Sequence, residues 1–227
     1  MTSWFWRLLG LPPDSSASKK KLAVVGLLYF IQGAPAAILW EVLPVYFRLH
    51  GVSLRAIGGL RLLELPYSLK VFWSPLVHRY GDRRIWIVAC MIGIAAILST
   101  LPFIDVAAVG LIVLVLILSL TTLSATQDVA IDSYSVGLVE RAEEGAANGV
   151  RASAYRIALV FVGGGTVLLA GILAWNLLFV LAAIVFAMLA FSVLAIPRLN
   201  LAHESREHWL EGFVGWAGTW RVIPLVL

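Results

Sequence analysis

The sequence predicts an all-α membrane protein with six transmembrane helices. Its mean hydropathy is +0.93, and 61% of its residues are hydrophobic against 13% that are charged, whereas about a quarter of the residues in a soluble domain carry charge. The apolar runs reach about 20 residues, the length needed to span the hydrocarbon core. Two of these runs, residues 86–103 and 177–196, contain no Asp, Glu, Lys or Arg.

The other four runs carry polar side chains at intervals. A charge near the middle of a bilayer costs about 3 kcal/mol or more, so it is retained where it faces protein or water. We therefore expect helices 3 and 6 to face lipid, and helices 1, 2, 4 and 5 to surround a polar path. The polar residues of these four helices are Gln32, Glu41, Arg61, Glu64, Lys70, Asp128, Asp132, Arg151 and Arg156.

Charged or polar loops separate the first three predicted helices. Helix 1, residues 22–47, follows three consecutive lysines. Helix 2, residues 54–77, follows a short loop, and the basic loop HRYGDRR at residues 78–84 leads into helix 3, residues 85–103. Each predicted helix is long enough to cross about 30 Å of hydrocarbon at about 1.5 Å per residue.

The second three helices are separated in the same way. Helix 4 is predicted at residues 107–138 and helix 5 at residues 149–174, with the polar loop ERAEEGAAN at residues 140–148 between them. The next two residues, Trp-Asn, are predicted to form a tight turn before helix 6, residues 177–196. The proline that follows cannot continue a helix.

Basic residues are distributed unevenly between the two sides of the predicted bundle. With the N-terminus in the cytoplasm, the opposite side receives only Arg48 and Arg55. Because short cytoplasmic loops carry an excess of Lys and Arg, this bias predicts a cytoplasmic N-terminus. The cytoplasmic side then holds Lys19, Lys20, Lys21, Arg79, Arg83, Arg84, Arg141, Arg198 and Arg206.

The predicted chain has three parts. Residues 1–21 form a cytoplasmic segment, residues 22–197 form the six-helix bundle, and residues 198–227 form a cytoplasmic linker and the start of a seventh helix. Six helices that divide into two triplets are typical of one half of a transporter built from nested inverted repeats. Helices 3 and 6 are the third members of these triplets, and they are also the two without charge.

The sequence gives little support to other classes of protein. The single cysteine, Cys90, excludes an intramolecular disulfide framework. No Cys and His residues have the spacing of a metal site, no glycine-rich phosphate loop is present, and no nucleophile–base set indicates an enzyme. The basic residues fall in short loops, which indicates membrane topology and not nucleic-acid binding. No cofactor is expected.

Three segments resemble a known family. The segments are LPYSLKVFWSPLVHRYGDRR (residues 65–84), the stretch from SATQDVAIDSYS to YRIALVFVGGG (residues 124–165), and YFIQGAPAAIL (residues 29–39). They are similar to AmpG-type muropeptide permeases, which belong to the peptide–acetyl-coenzyme A–drug transporter family of the major facilitator superfamily. The resemblance covers residues 29–197, and the TQDVAID stretch followed by AYRIA is its more specific part.

The resemblance implies a fold and a function. It implies the N-terminal six-helix half of a permease with at least twelve spans, which would need a C-terminal half as partner. It also implies uptake of muropeptides across a bacterial inner membrane, coupled to protons. The loop between helices 2 and 3 has His78 where the superfamily usually has Asp. The motif residues of this loop are His78, Arg79, Gly81, Arg83 and Arg84.

Helices 4 and 5 carry a candidate cytoplasmic gate. Asp128 and Asp132 are four residues apart and therefore lie on one helix face. Arg151 and Tyr155 share a face of helix 5, and Arg156 lies near them. Counting from the start of helix 4 places Asp128 at the cytoplasmic edge of the hydrocarbon. One interpretation pairs these carboxylates with these arginines when the gate is closed, and the other is snorkelling toward the interface.

Helices 1 and 2 carry candidate residues for a substrate or proton pathway. Glu64 is predicted near the midplane, where it either cycles protons or forms a structural ion pair with Arg61. Gln32 is predicted at mid-depth, where it contacts substrate or makes an interhelical hydrogen bond. Lys70 either attracts an anionic substrate, balances Asp128, or snorkels toward the basic loop.

Two alternatives to muropeptide uptake remain open. The first is a major facilitator transporter of another substrate, such as acetyl-coenzyme A or a drug. The second is a half-transporter fragment without transport activity of its own. Spacing and periodicity identify no substrate, coupling ion or oligomeric state.

Overall fold

The computed structural model describes residues 16–79, 82–106 and 110–198, and within them all regular structure is helical. The predicted start of a seventh helix lies outside these residues. Five helices are long and apolar enough to cross a membrane, and the chain is an integral membrane protein. They are Ser18–Leu49, Arg83–Phe103, Leu111–Leu138, Arg141–Leu169 and Trp175–Leu194.

Helix α1 is one continuous helical run with a π turn inside it. It comprises Ser16–Ala37, the π turn Ile38–Val42 and Leu43–Leu49. It begins before the predicted residue 22, because the three lysines, which are good helix formers, continue the helix. After α1 the chain turns at Gly51, whose φ of 84° is accessible to glycine without strain.

The continuous second helix predicted at residues 54–77 is wrong, because segment α2 is divided into short pieces. The pieces are Leu54–Leu60, Arg61–Glu64, Leu65–Leu69, Lys70–Phe72 and Ser74–Arg79, of which the second and fourth are 3-10 turns. Proline lacks an N–H and clashes with the preceding helical turn. Pro66 and Pro75 each follow one of the 3-10 turns, which explains where α2 is broken.

Helices α3 and α4 agree closely with their predicted positions. Helix α3 comprises Arg83–Thr100 followed by the 3-10 turn Leu101–Phe103. The side chain of Asp82 caps its start by accepting a hydrogen bond from the backbone N–H of Arg84. Helix α4, Leu111–Leu138, begins four residues later than predicted.

Helices α5 and α6 begin earlier than predicted. The loop predicted at residues 140–148 is mostly helical, because Glu140 and Glu143 form a reciprocal capping box. Helix α5 therefore starts with a 3-10 turn and continues through a π turn; its parts are Arg141–Glu143, Glu144–Ala158, Leu159–Gly164 and Gly165–Leu169. The turn predicted at Trp175 is wrong, since helix α6, Trp175–Leu194, begins at that residue.

The helices form a bundle around a shared apolar core. Helix α6 packs on α3, α3 packs on α4, and α1 contacts both α4 and α5, while the pieces of α2 pack on α4. The exposed large side chains of α6 are apolar, as expected of a helix that faces lipid. The core that joins these helices includes Leu28, Ile31, Met91, Leu120 and Phe179, all of them buried.

Helices α1 and α5 approach each other closely along a seam of small residues. A Cβ atom built on Gly33 would lie 2.7 Å from the Cβ of Ala158. One built on Gly163 would lie 2.9 Å from the Cβ of Glu41. Glu41 and Gly163 belong to the two π turns, which contact each other. Glycine is therefore required at this seam by the short distance between the two backbones.

Adjacent glycines in the α5 π turn provide a stability test of this seam. We expect Gly163→Ala to destabilise the protein by about 1–3 kcal/mol, because the added methyl group forces the helices apart. Gly164 has nothing within 4 Å of a built Cβ, so Gly164→Ala is the matched control and should leave stability unchanged or slightly raised. Thermal unfolding in detergent measures both, and equal melting temperatures would contradict the close approach.

Candidate functional site

Asp128 joins three helices through its carboxylate. Gln32 on α1 donates a hydrogen bond to Oδ1, and the ammonium group of Lys70 on α2 forms an ion pair with Oδ2. The side chain of Asp128 is 13% exposed and that of Lys70 is 31% exposed. A buried carboxylate is costly unless it is paired and hydrogen-bonded, and both conditions are met here.

Asp132 forms a second layer one helical turn further along α4. The hydroxyl group of Tyr29 donates a hydrogen bond of 2.6 Å to its carboxylate. The guanidinium of Arg151 lies 5.5 Å from the centre of the Tyr29 ring, a cation–π distance. Arg151 also donates a 2.8 Å hydrogen bond to Asn148, four residues from the start of the α-helical part of α5. Tyr29 therefore links α1, α4 and α5.

Two further hydrogen bonds attach the broken segment α2 to α4. The hydroxyl groups of Tyr67 and Ser124 lie 2.6 Å apart, and the indole N–H of Trp73 donates to the hydroxyl of Thr126 at 3.1 Å. Lys70 lies between these two anchors in the chain. The anchors thus fix the position from which Lys70 reaches Asp128. Asp128 and Asp132, together with the side chains that surround them, are called the polar cluster below; these side chains are Tyr29, Gln32, Lys70 and Arg151.

Some polar atoms in and beside the polar cluster make no hydrogen bond within the described part of the protein. They are Oε1 of Gln32, Oε1 of Gln127 and Nε of Arg151, all of them buried. Gln127 uses its amide nitrogen for the carbonyl of Ile31 at 3.4 Å. Buried polar atoms normally have partners. These two acceptors and one donor therefore have hydrogen-bonding capacity that the described residues do not use.

The predicted pairing of the two aspartates with the two arginines is not present in this structure. Asp128 pairs with Lys70, and Asp132 binds Tyr29, so Arg151 reaches Asp132 only through the tyrosine. Arg156 is exposed and forms no ion pair with either aspartate. Tyr155 lies against Gly33 at the α1–α5 seam. For Lys70 and Gln32, the structure shows two of the predicted alternatives, the balance of Asp128 and the interhelical hydrogen bond.

The contact with Gln32 places Asp128 beside the middle part of α1. Gln32 lies close to the middle of the 32-residue span Ser18–Leu49. Helix α4 begins at Leu111, so Asp128 lies about 26 Å along it at about 1.5 Å per residue. The polar cluster therefore lies within the spanning part of the bundle.

Glu64 lies apart from the polar cluster. Its carboxylate forms the predicted ion pair with Arg61 at 3.2 Å, and the two side chains are 33% and 57% exposed. Both residues line an open cleft between α1, α2 and α4 whose other walls are apolar except for Thr121. The structure thus brings Gln32, Lys70 and the aspartates together, but it does not bring Glu64 to them.

The loop between α2 and α3 binds the ends of other helices. Arg83 donates to the hydroxyl of Ser133 on α4 at 2.5 Å. Arg84 is buried, forms an ion pair with Asp82 at 2.6 Å, and donates to the carbonyl of Ile196 at 2.6 Å. These arginines therefore do not hold acids of helices 4 and 5. Gly81 lies outside the described residues, as do the side chains of His78 and Arg79.

Comparisons with known proteins show what this chain is similar to. Residues 21–108 match the family described as acetyl-coenzyme A transporter 1. The anhydromuropeptide permease of Escherichia coli K12 is 25% identical over 218 residues, which are 90% of this chain and 44% of that protein. AmpG 4 of Rickettsia felis is 28% identical over 198 residues, 81% of this chain and 47% of that protein.

An uncharacterised protein of Haemophilus influenzae is 29% identical over 86% of this chain. The predicted resemblance is confirmed. The chain is similar to AmpG-type permeases over most of its length. It spans about half the length of these relatives, since the matched regions cover 44%, 47% and 48% of them.

Several residues of this site were not singled out from the sequence. Tyr29, Tyr67 and Trp73 hold the aspartates or their helix, and none was singled out. Helical spacing contains a signal for the first of them: Tyr29 and Gln32 are three apart, and Asp128 and Asp132 are four apart, so each pair forms one face. When the two faces pack together, Tyr29 can contact Asp132 while Gln32 contacts Asp128. Among the described residues, no group of three His, Cys, Asp or Glu side chains has the geometry of a metal site.

The ion pair of Lys70 and Asp128 can be tested by a double-mutant cycle. We expect Asp128→Ala to destabilise the protein by about 2 kcal/mol, because it leaves the Lys70 ammonium without its partner. Adding Lys70→Met to the Asp128→Ala variant should recover much of that loss in stability, since it removes the unpaired charge. Thermal unfolding of both single variants and the double variant measures the coupling. Additive losses would mean that the two residues do not interact.

The capping residue Asp82 provides a test of pH dependence. Hydrogen bonds from the Arg84 guanidinium hold the pKa of Asp82 below its usual range. A carboxyl whose pKa is lower in the folded state stabilises it at neutral pH, and this contribution is lost as the pH falls below about 4.

We therefore expect the melting temperature of the wild type to fall between about pH 5 and pH 3 by more than that of Asp82→Asn. Thermal unfolding at each pH measures this difference. The exposed carboxylate of Glu144 provides the control variant Glu144→Gln. Parallel pH profiles for wild type and Asp82→Asn would contradict the assignment.

Proposed function

We propose that this chain is the six-span half of a major facilitator permease that takes up anhydromuropeptides across a bacterial inner membrane. Uptake is coupled to protons and proceeds by alternating access between this half and a second six-helix half. The chain acts in transport and not as an enzyme. The polar cluster around Asp128 carries the proposal, because an ionisable cluster inside spanning helices is expensive and typically marks a transport path.

The broken segment α2 is the proposed sixth span. Residues 54–79 would cover about 39 Å if helical throughout, enough to cross the hydrocarbon. Broken helices are tolerated at membrane depth where they are buried in protein or line a cavity. The hydrogen bonds of Tyr67 and Trp73 to α4 support such a position. With six spans and the N-terminus in the cytoplasm, basic loops lie on the cytoplasmic side.

The second half is proposed to cover the apolar surface of α2 and α5. Phe72 on α2 and Phe161 and Leu168 on α5 are 75%, 71% and 80% exposed. These side chains lie on the helices that carry polar-path residues, whereas α3 and α6 lie on the other side of the bundle. A partner surface on the α2 and α5 side would separate the polar path from lipid.

The gate assignment to Asp128, Asp132, Arg151, Tyr155 and Arg156 remains a proposal. In this structure Tyr29 separates Arg151 from Asp132. A sliding movement of α5 along the glycine seam would bring Arg151 to the carboxylate and close the cytoplasmic side. Alternating access by rocking of two halves supplies such a movement.

Acetyl-coenzyme A is the second candidate substrate. The observation that favours it is the match of residues 21–108 to the family described as acetyl-coenzyme A transporter 1. Both candidate substrates are large, polar and anionic. The polar cluster, which combines an ammonium group with unpartnered amide oxygens, is compatible with either of them.

Uptake into membrane vesicles tests the proposed function. Vesicles are prepared from cells that express the protein from its gene, and labelled anhydromuropeptide is offered with an inward proton gradient. We expect concentrative uptake that collapses with a protonophore, and at least a tenfold loss in Asp128→Asn because the ionisable group is removed from the path. The matched control is Glu140→Gln, which removes an exposed carboxylate outside the polar cluster.

The vesicle assay also separates the two substrates. Labelled acetyl-coenzyme A taken up in place of anhydromuropeptide would favour the second candidate. If Asp128→Asn takes up anhydromuropeptide as well as the wild type does, the polar cluster has no role in transport. Uptake that persists without a proton gradient would rule out proton coupling.

A further inference from the structure

The ion pair of Lys70 and Asp128 is asymmetric in its exposure. The Lys70 side chain is 31% exposed, whereas the Asp128 side chain is 13% exposed. The Lys70 side chain is thus the more accessible member of the pair, and the Asp128 side chain is the more buried one. An incoming anion that binds the Lys70 ammonium therefore has to replace the Asp128 carboxylate as its partner.

The charges of the polar cluster are balanced. It contains two cations, Lys70 and Arg151, and two carboxylates, Asp128 and Asp132. Neutralising Asp128 would leave Lys70 without a partner in a site of low dielectric, where an unpaired charge is strongly disfavoured. The titratable groups that face Asp128 or Asp132 from the neighbouring helices are Tyr29, Tyr67, Lys70, Arg151 and Tyr155.

We propose that Lys70 binds an anionic group of the substrate and that Asp128 is its internal competitor, which protonation releases. The inference rests on the proposed function and deepens it. A proton from water forms an O–H bond on the Asp128 carboxylate, and the ion pair with Lys70 breaks. The Lys70 ammonium then pairs with a carboxylate or phosphate of the substrate. One proton and one negative charge enter together, so the net charge of the cluster is unchanged.

The surroundings of Lys70 define the substrate further. Oε1 of Gln32 and Oε1 of Gln127 are buried acceptors without a partner in the described part of the chain. The side chains of Gln32 and Lys70 both bind the Asp128 carboxylate, and Gln127 precedes Asp128 in the sequence. A ligand that satisfies them carries N–H or O–H donors beside its negative charge. The inferred class is therefore an anion with amide or hydroxyl groups next to it.

Equilibrium binding tests the exchange without requiring transport. The protein expressed from its gene is purified into lipid nanodiscs, and binding of an anhydromuropeptide with free carboxylates is measured at pH 6 and pH 8. The same molecule with its carboxylates converted to amides is the neutral probe. Carboxylates in solution are ionised at both pH values, so a pH effect on binding reports on the protein.

We expect the wild type to bind the anionic probe at least tenfold more tightly at pH 6 than at pH 8. Asp128→Asn should bind it tightly at both pH values, because Lys70 no longer has an ionised competitor. Lys70→Gln should bind at least tenfold more weakly at pH 6 and should not distinguish the anionic from the neutral probe. Lys21 and Glu140 form an ion pair of 2.5 Å outside the polar cluster, so Lys21→Gln and Glu140→Gln are matched controls with wild-type profiles.

Several outcomes would overturn the exchange. Binding by Asp128→Asn that still follows the wild-type pH profile would do so, and so would undiminished binding by Lys70→Gln. Acetyl-coenzyme A is measured in parallel. If it shows the expected pattern and the anhydromuropeptide does not bind, the exchange stands and the proposed substrate is wrong. If neither binds to the wild type, both proposals fail.

Discussion

The carboxylate of Asp128 is the constraint on which the arrangement of the bundle depends. An isolated charge inside a helix bundle is disfavoured by several kcal/mol unless it is paired and hydrogen-bonded. Helix α4 can hold Asp128 only while α1 supplies Gln32 and α2 supplies Lys70. The relative positions of three helices are therefore tied to one side chain, and any change in its charge acts on all three.

The broken form of α2 follows from the same constraint. Lys70 lies in a 3-10 turn between the hydrogen bonds of Tyr67 and Trp73 to α4. In a straight α-helix each of these residues would be offset by about 60° from the one three positions before it, so Tyr67 and Trp73 would diverge by about 120°, whereas residues three apart align in a 3-10 turn. The breaks before Pro66 and Pro75 let all three reach α4. A segment weakened by proline is thus held in place by polar contacts, and it depends on them.

The pattern of charge in the sequence predicted much of the fold, and local chemistry explains most of the errors. Five spans, and the segregation of polar residues onto α1, α2, α4 and α5, follow from the cost of charge in hydrocarbon. Pro66 and Pro75 were visible signals for the breaks in α2. The partners of Asp128 were harder to predict, because spacing gives the face of a helix but not its rotation against a neighbour. Lys70 and Arg151 were equally plausible partners from sequence, and only the packing distinguishes them.

Helices α3 and α6, whose only charged residues are Arg83 and Arg84 at the start of α3, form a unit that contrasts with the polar cluster. Their one buried charge, Arg84, is satisfied by Asp82 and by the carbonyls of Leu194 and Ile196 at the end of α6. This contact caps the carboxyl end of α6 and ties it to the start of α3. Tyr134 of α4 adds a hydrogen bond of 2.8 Å to the carbonyl of Pro197. None of these contacts uses Lys70, Asp128 or Asp132. A change in the charge of the polar cluster therefore acts on α1, α2 and α5, while α3, α6 and the end of α4 remain joined.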